Sequence, residues 1–234
     1  MSDPEESLVD AGTAAPYAGA EAYAGKSFTY FTNARWDYVS ELPEDAHARV
    51  LEIGCGGGET GALALAEGRC GSYCGVEVCR PAAEKAVRKI TEVIVGNVEE
   101  LQLPWGPATF DAVILSEVLE HLADPWMTLS KVLPLLKRGA SVYASSPNVA
   151  HYRVVSMLVR GEWALSDFGP MDRTHLRWFT PLSYRRLFES CGYAVDSVRG
   201  LVPLGRKARV VNALTLGWAR HLLIRQIDLR AHRP

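Results

Sequence analysis

The chain contains the run Val50-Leu51-Glu52-Ile53-Gly54-Cys55-Gly56-Gly57-Gly58. The branched apolar residues at its start predict a buried strand of a parallel sheet. The glycines that follow can adopt backbone angles that side chains forbid, so a ligand could approach the main chain closely. We therefore interpret the run as a strand that leads into a cofactor-binding turn, the alternative being a glycine-rich turn that binds nothing.

Two cofactor classes use such a turn. The dinucleotide fingerprint G-x-G-x-x-G would need glycine at position 59 after Gly54 and Gly56, but that residue is Glu59. The spacing Glu52-x-Gly54-x-Gly56-x-Gly58 instead resembles the first motif of the class I methyltransferases that use S-adenosylmethionine. An acid suits the sulfonium and ammonium of that cofactor and would repel a pyrophosphate. The resemblance implies cofactor binding by Glu52, Gly54, Cys55, Gly56 and Gly58.

Composition limits the classes of protein that remain. The 234 residues, 48% hydrophobic and 22% charged, are typical of an ordinary globular domain. A formal net charge of -2 gives no reason to expect a nucleic-acid substrate, so we expect a small-molecule acceptor. No N-terminal signal pattern is present, and no stretch approaches the ~20 apolar residues of a membrane span. We therefore expect a cytoplasmic protein.

The cysteines predict reduced thiols and no metal site. Their number, five, is odd in a chain that we expect to be intracellular. Cys70, Cys74 and Cys79 lack a C-x-x-C pair, and two of them flank an apolar strand where cysteine behaves as a small hydrophobic residue. We therefore predict that the chain holds no metal ion.

Strand and helix patterns alternate along the chain. Strands are predicted over residues 50–53, 73–78, 93–95, 110–115, 140–145 and 193–198, and helices over 61–67, 81–89, 125–136 and 181–191. This alternation predicts an α/β fold, doubly wound and Rossmann-like, with helices on both faces of a mostly parallel sheet of seven strands. The resemblance implies that one late strand is antiparallel, and residues 208–211 are the candidate for it.

The same patterns divide the chain into three parts. Residues 1–25 combine acids with many alanines and glycines and predict a mobile segment. Residues 26–200 form the predicted methyltransferase domain, with an aromatic helix over 28–42 that caps the site or packs on the core, and a lid insertion near 146–180. Residues 201–234 form a predicted basic C-terminal extension.

Residues that follow the later strands extend the resemblance. Glu77 lies where methyltransferases carry the acid that accepts hydrogen bonds from both ribose hydroxyls. A carboxylate suits this role because it only accepts and can take both donors at once. Asn97 and Val98 correspond to the adenine-binding segment, in which the family's acid is replaced here by an amide. Asn97 can still accept from the adenine amine, although without a charge.

The fourth predicted strand leads into the most specific motif. Phe110-Asp111 at its start and Val118-Leu119-Glu120-His121 after it resemble a group of small-molecule methyltransferases that includes the ubiquinone-pathway enzymes. The resemblance implies that Ser116 and Glu117 line the cofactor. His121 is a candidate catalytic residue, or it hydrogen-bonds a loop.

The segment Asp172-Arg173-Thr174-His175-Leu176-Arg177 resembles a bacterial subgroup found among sugar and glycan enzymes. Methyl transfer to a hydroxyl needs a base, and His175 is our first candidate, with His151 as the second. Alternatively, the charged side chains of this segment pair with one another and only fix the loop.

The end of the chain is basic, with apolar residues between the charges. Two interpretations stay open: a helix packed on the domain with a solvated basic face, or a segment that contacts an anionic membrane or a partner. The cations are Arg206, Lys207, Arg209, Arg220, Arg225, Arg230 and Arg233.

These motifs together predict a methyltransferase that uses S-adenosylmethionine. The predicted acceptor is a hydroxyl of a sugar or glycolipid precursor. The alternatives are a quinone or secondary metabolite as acceptor, a nicotinamide oxidoreductase, and a cofactor-binding module without catalysis.

Overall fold

A single mixed sheet organises the part of the chain that the computed structural model describes, residues 8–10 and 34–234. Its order is β1-β4-β3-β2-β5-β6-β8-β7, with β1 to β6 parallel and β8 antiparallel to both of its neighbours. The strands are β1 (Leu8–Asp10), β2 (Arg49–Ile53), β3 (Ser72–Glu77), β4 (Glu92–Val95), β5 (Phe110–Ser116), β6 (Leu136–Pro147), β7 (Ala194–Gly200) and β8 (Gln226–His232).

Helices lie between most of the consecutive strands. They are α1 (Trp36–Val39), α2 (Glu59–Ala66), α3 (Arg80–Ala86), α4 (Pro125–Val132), α5 (Tyr152–Val159), α6 (Pro181–Ser190), α7 (Arg206–Leu214) and α8 (Arg220–Leu223). Asp124 caps α4 by accepting from the Met127 amide at 2.9 Å, and Thr180 and Ser183 form a capping box on α6. Side-chain oxygens at these positions satisfy amides that a helix start leaves unpaired, so both helices begin where their sequences predict.

The apolar side chains form one core on each face of the sheet. Leu51 and Ile53 of β2 pack in a cluster with Phe188 of α6, whereas Val50 packs in a second cluster with Ala83 of α3. Successive residues of a strand point to opposite faces, so both faces are covered by helices. The predicted doubly wound, mostly parallel fold is confirmed, and the three-residue β1 adds an eighth strand at the edge.

The antiparallel strand lies later than expected. Residues 208–211, the candidate for it, belong to helix α7, and β8 is the strand inserted between β6 and β7. Strand β8 escaped prediction because it carries charged residues that the fold buries: Asp228 accepts from Arg199 at 2.7 Å and pairs with Arg230. Residues 226–232 of the expected C-terminal extension are therefore an interior part of the sheet.

The N-terminal predictions fall partly outside the described residues. Of the expected mobile segment 1–25, only residues 8–10 are described, and they pair in parallel with β4. Of the expected helix over 28–42, residues 34–42 are described and contain α1. Within residues 34–234, the helices are too short or too polar to span a membrane.

Candidate functional site

The carboxyl ends of β2 to β6 surround a cavity of about 800 Å³. The carboxyl ends of parallel strands lie at the same edge of the sheet, so residues that are distant in sequence meet there. Eleven of the predicted site residues line this cavity: Glu52, Gly54, Cys55, Gly56, Glu77, Asn97, Val98, Ser116, Glu117, His121 and His175. Gly58 and His151 are not among the lining residues.

The glycine turn after β2 brings the main chain to the cavity wall. Gly54 has a φ of +76°, and a Cβ at this position would lie 2.5 Å from Cγ2 of Val118. Gly58 has a φ of +80°, and its Cβ would lie 2.9 Å from Cα of Ala86. Gly58 therefore allows α2 and α3 to pack closely, whereas Gly54 shapes the cavity itself.

Glu77 joins the end of β3 to this turn. Its Oε2 accepts from the Gly56 amide and its Oε1 from the Cys79 amide, each at 2.8 Å. Burial raises the pKa of the Glu77 carboxyl, and these two amides oppose the shift. Each carboxylate oxygen accepts more than one hydrogen bond, so Glu77 can also accept from a ligand in the cavity.

Glu52 is a second buried acid on the cavity wall. The Tyr73 hydroxyl donates to its Oε2 at 2.8 Å. Burial raises the pKa of Glu52 to about 7 from its ordinary value of 4.5. A cation in the cavity would favour the ionised form of this carboxyl.

The raised pKa of Glu52 predicts a pH effect on stability. Between pH 4.5 and about 7 the folded protein holds a proton that the unfolded chain releases, so the free energy of unfolding falls as pH rises through this range. Denaturant titrations should show wild type losing about 1 to 3 kcal/mol more than Glu52→Gln between pH 5 and pH 8. Parallel pH profiles of the two proteins would contradict the assignment.

The segment after β4 is fixed by its own side chains. Asn97 donates to Glu100 at 2.9 Å, and its oxygen accepts from the Glu99 amide at 3.0 Å. The Lys131 ammonium donates to the backbone carbonyls of Val98 and Glu99 at 2.9 Å and of Leu101 at 3.0 Å. The wall that Asn97 and Val98 contribute is thus held by α4.

Arg35, which the sequence analysis missed, also lines the cavity. Its guanidinium donates to Ser116 and, at 3.0 Å, to Ser145, and it pairs with Asp37 at 2.8 Å. It stacks 3.9 Å from the centre of the Tyr38 ring. Arg35 therefore places a positive charge on a wall that is otherwise rich in carboxylates. The aromatic residues around it carried the only sequence signal, a predicted cap.

A buried acid and two imidazoles form a separate cluster of side chains that can gain or lose protons. Glu120 is 2% exposed, and both of its carboxyl oxygens lack a hydrogen-bond partner. The His121 and His175 rings lie 4.7 Å apart between centroids and nearly edge to face. Burial raises the pKa of Glu120 well above its usual range, and the nearby charge of Glu117 adds to the shift. This cluster can exchange protons with a ligand.

The surrounding loop orients both imidazoles. Nδ1 of His121 lies 3.2 Å from the Thr174 carbonyl, and Nδ1 of His175 lies 3.4 Å from the Pro170 carbonyl. A carbonyl only accepts, so these contacts place the proton on Nδ1 and leave Nε2 as the acceptor nitrogen. Asp172 fixes the same loop by accepting from the Thr174 amide and hydroxyl at 2.9 and 2.8 Å.

Glu120, His121 and His175 could also hold a metal ion. Each offers one ligand atom, and these atoms lie within 4.8 Å of one another. Carboxylate and imidazole donors suit a divalent transition metal. The prediction of no metal site rested on the cysteines, which are free thiols. The two histidines come from distant segments, so no spacing motif in the sequence predicts this metal site.

His151 lies outside this cluster. It precedes α5, is buried, and packs against Tyr152 with 4.5 Å between the ring centroids. Burial lowers the pKa of His151, and the charges of Arg225 and Arg153 add to the shift. The structure therefore brings His121 and His175 to the cavity and leaves the second candidate base, His151, away from it.

The doubly wound sheet, the glycine turn and the acids at the strand ends define a class I methyltransferase that uses S-adenosylmethionine. Residues 29–198 match the sequence family described as "Methyltransferase domain", and the chain belongs to this family. The enzyme is therefore an S-adenosylmethionine-dependent methyltransferase, as the motifs predicted.

Relatives and solved structures agree with this assignment. The chain is similar to the ubiquinone biosynthesis O-methyltransferase of Xylella fastidiosa strain 9a5c, with 31% identity over 79% of this chain and 77% of that protein. The corresponding enzyme of Xanthomonas euvesicatoria is 28% identical over 75% and 76% of the two chains. A methyltransferase structure from Archaeoglobus fulgidus matches with a TM-score of 0.64, 20% identity and coverage of 88% and 100%, which shows a shared fold.

Proposed function

We propose that this enzyme methylates a hydroxyl oxygen of a small molecule, with His175 as the base. The observation that carries the proposal is the imidazole pair of His121 and His175, which lines the same cavity as the glycine turn. Both rings present Nε2 as an acceptor, which suits proton removal from a neutral hydroxyl.

The cavity residues fit the different groups of the cofactor. We assign the ribose hydroxyls to Glu77 and the adenine amine to Asn97, both of which line the cavity. We assign the carboxylate of the methionine part to Arg35 and its ammonium to Glu52, because opposite charges attract strongly in a buried site. When bound, S-adenosylmethionine supplies a methyl group on a sulfonium for in-line displacement.

The protein's own contribution is to position the acceptor and take its proton. Once the acceptor hydroxyl is positioned for methyl transfer, Nε2 of His175 would take its proton. The imidazolium that results lies beside Glu120 and would favour the ionised form of its carboxyl group, which in turn would stabilise the positive charge. The Pro170 carbonyl holds the ring orientation throughout.

Two acceptor types remain as proposals. A phenolic hydroxyl of a quinone precursor is favoured by the relatives, which are named as ubiquinone biosynthesis O-methyltransferases. A sugar hydroxyl of a glycolipid precursor is favoured by the resemblance of the segment around Asp172 and His175 to glycan-associated enzymes. We also infer a cytoplasmic location, because all five cysteines are free thiols.

Mass-resolved methyl transfer tests the proposal. The enzyme is incubated with S-adenosylmethionine and with panels of dihydroxybenzenes carrying an alkyl chain, of sugars and of glycolipids. We expect an added methyl group on an oxygen in one panel. Methyl transfer to an amine alone would contradict the hydroxyl assignment. Cofactor binding by calorimetry without transfer to any panel would support the cofactor-binding module instead.

A further inference from the structure

Residues 201–225, between β7 and β8, form a segment that we call the arm. Its base is closed by a hydrogen bond of 3.0 Å from the Leu201 amide to the Gln226 carbonyl, and both residues line the cavity. The buried Asn148 side chain, at the end of β6, donates to the carbonyls of His221 and Ile224 at 2.7 Å each. The arm is therefore fixed beside the cavity.

The arm buries Ala219 and Ile224 but leaves several of its large apolar side chains exposed. Helix α7 has no buried residue. Leu214, its last residue, is 80% exposed, and beyond the helix Leu216 is 95% and Trp218 is 76% exposed. Large apolar side chains that stay exposed together mark a contact surface. This arrangement is evidence against the interpretation of the C-terminal region as a helix packed on the core.

The charges of the arm have one sign. It carries five cations and no acidic residue: Arg206, Lys207, Arg209, Arg220 and Arg225. Arg206, Lys207 and Arg209 of α7 are exposed. Cations interleaved with exposed tryptophan and leucine are typical of segments that lie in the headgroup region of an anionic bilayer. A partner protein would require no such uniform charge.

The insertion after β6 also exposes large apolar side chains. Phe168 lines the cavity and is 80% exposed. Val159, at the end of α5, belongs to the same insertion after β6 and is also exposed. Exposed apolar side chains thus occur on two separate insertions, each of which contributes a residue to the cavity lining.

We propose that the arm docks on an anionic lipid bilayer and turns the cavity mouth toward it, so that the enzyme takes an acceptor with a hydrocarbon tail from the membrane. The choice of acceptor rests on the proposed function, whereas the docking itself does not. Apolar side chains of the arm enter the interface while its arginines and lysine contact the headgroups.

Vesicle sedimentation with the full-length chain tests the docking without any methyl transfer. Vesicles of phosphatidylcholine alone are compared with vesicles that also contain phosphatidylglycerol, at low and moderate salt. We expect sedimentation with the anionic vesicles only, weakening as salt rises. The arm cannot be removed by truncation, because β8 follows it and lies inside the sheet.

Matched substitutions distinguish an effect of the arm on vesicle binding from an effect of the protein's net charge. Arg206→Glu, Lys207→Glu and Arg209→Glu together should weaken vesicle binding at least about 100-fold, since each surface cation contributes about 1 kcal/mol. Arg88→Glu, Arg138→Glu and Arg186→Glu change the same charge at exposed positions outside the arm and should preserve more of the binding. A second set, Leu214→Ser, Leu216→Ser and Trp218→Ser, should also abolish it, with thermal melts confirming that the variants fold.

Three results would overturn the proposal. Wild-type protein that stays in the supernatant with anionic vesicles at low salt would exclude docking. Equal loss of binding in the arm and control charge variants would exclude the arm as the contact. A dimer in light scattering that the serine variants dissociate, without vesicle binding, would assign the surface to a second copy of the chain.

Discussion

Replacement of His175 by alanine is expected to lower kcat by about 100-fold or more and to leave the Kd of S-adenosylmethionine unchanged. The variant loses the Nε2 acceptor that we assign to the hydroxyl proton, while the glycine turn and Glu77 stay in place. Calorimetry with the cofactor and steady-state kinetics with the identified acceptor measure the two quantities separately.

The control for this prediction is His151→Ala. His151 is a buried histidine on the same insertion, but it does not line the cavity, so its loss should change kcat much less. The kcat of His121→Ala shows whether the neighbouring imidazole also contributes to proton removal. If His175→Ala instead weakens cofactor binding or lowers the melting temperature by the same amount as Asp172→Ala, the histidine only fixes its loop.

The half of the cavity that we assign to the cofactor was predictable because its signals are local. Strand β2 and its glycine turn lie within ten consecutive residues, and Glu77 ends the next strand along the chain. The rule that ligands bind at the carboxyl ends of parallel strands then brings these residues together without further information. Gly58 shows the limit of the motif, because its role is the packing of α2 on α3.

The half that we assign to the acceptor depends on contacts that no local pattern encodes. His175 reaches His121 because the amides of Leu176 and Arg177 donate to the Glu120 carbonyl, at 2.8 and 2.9 Å. His121 and His175 were each predicted as candidates, but their pairing with one another and with Glu120 was not. Arg35 was missed for the same reason, since its partners Ser116 and Ser145 lie on two later strands.

Strand β8 was missed because some of its buried residues are charged. Its buried Asp228 and Arg230 are satisfied by each other and by Arg199 and Glu41, which come from distant parts of the chain. A charged residue is buried only when such partners exist, and the sequence alone does not show them. The apolar alternation that reveals ordinary strands is therefore weak here.

The last prediction concerns Glu77, for which we expect Glu77→Ala to weaken S-adenosylmethionine binding by about 100-fold. Two charge-assisted hydrogen bonds to the ribose, at about 1.5 kcal/mol each or more, amount to this factor. The variant also leaves the amides of Gly56 and Cys79 without their acceptor, which should loosen the turn that we assign to the cofactor.

Asp111→Ala is the matched control for Glu77→Ala, with calorimetry as the measurement for both. Asp111 lies at the start of β5, outside the cavity, and accepts hydrogen bonds from the Arg49 amide and the Lys137 ammonium. Its loss should therefore lower stability without changing the cofactor Kd. An unchanged Kd in Glu77→Ala would move the ribose site elsewhere. Equal weakening in both variants would instead mean that general destabilisation, and not a lost contact, accounts for the effect.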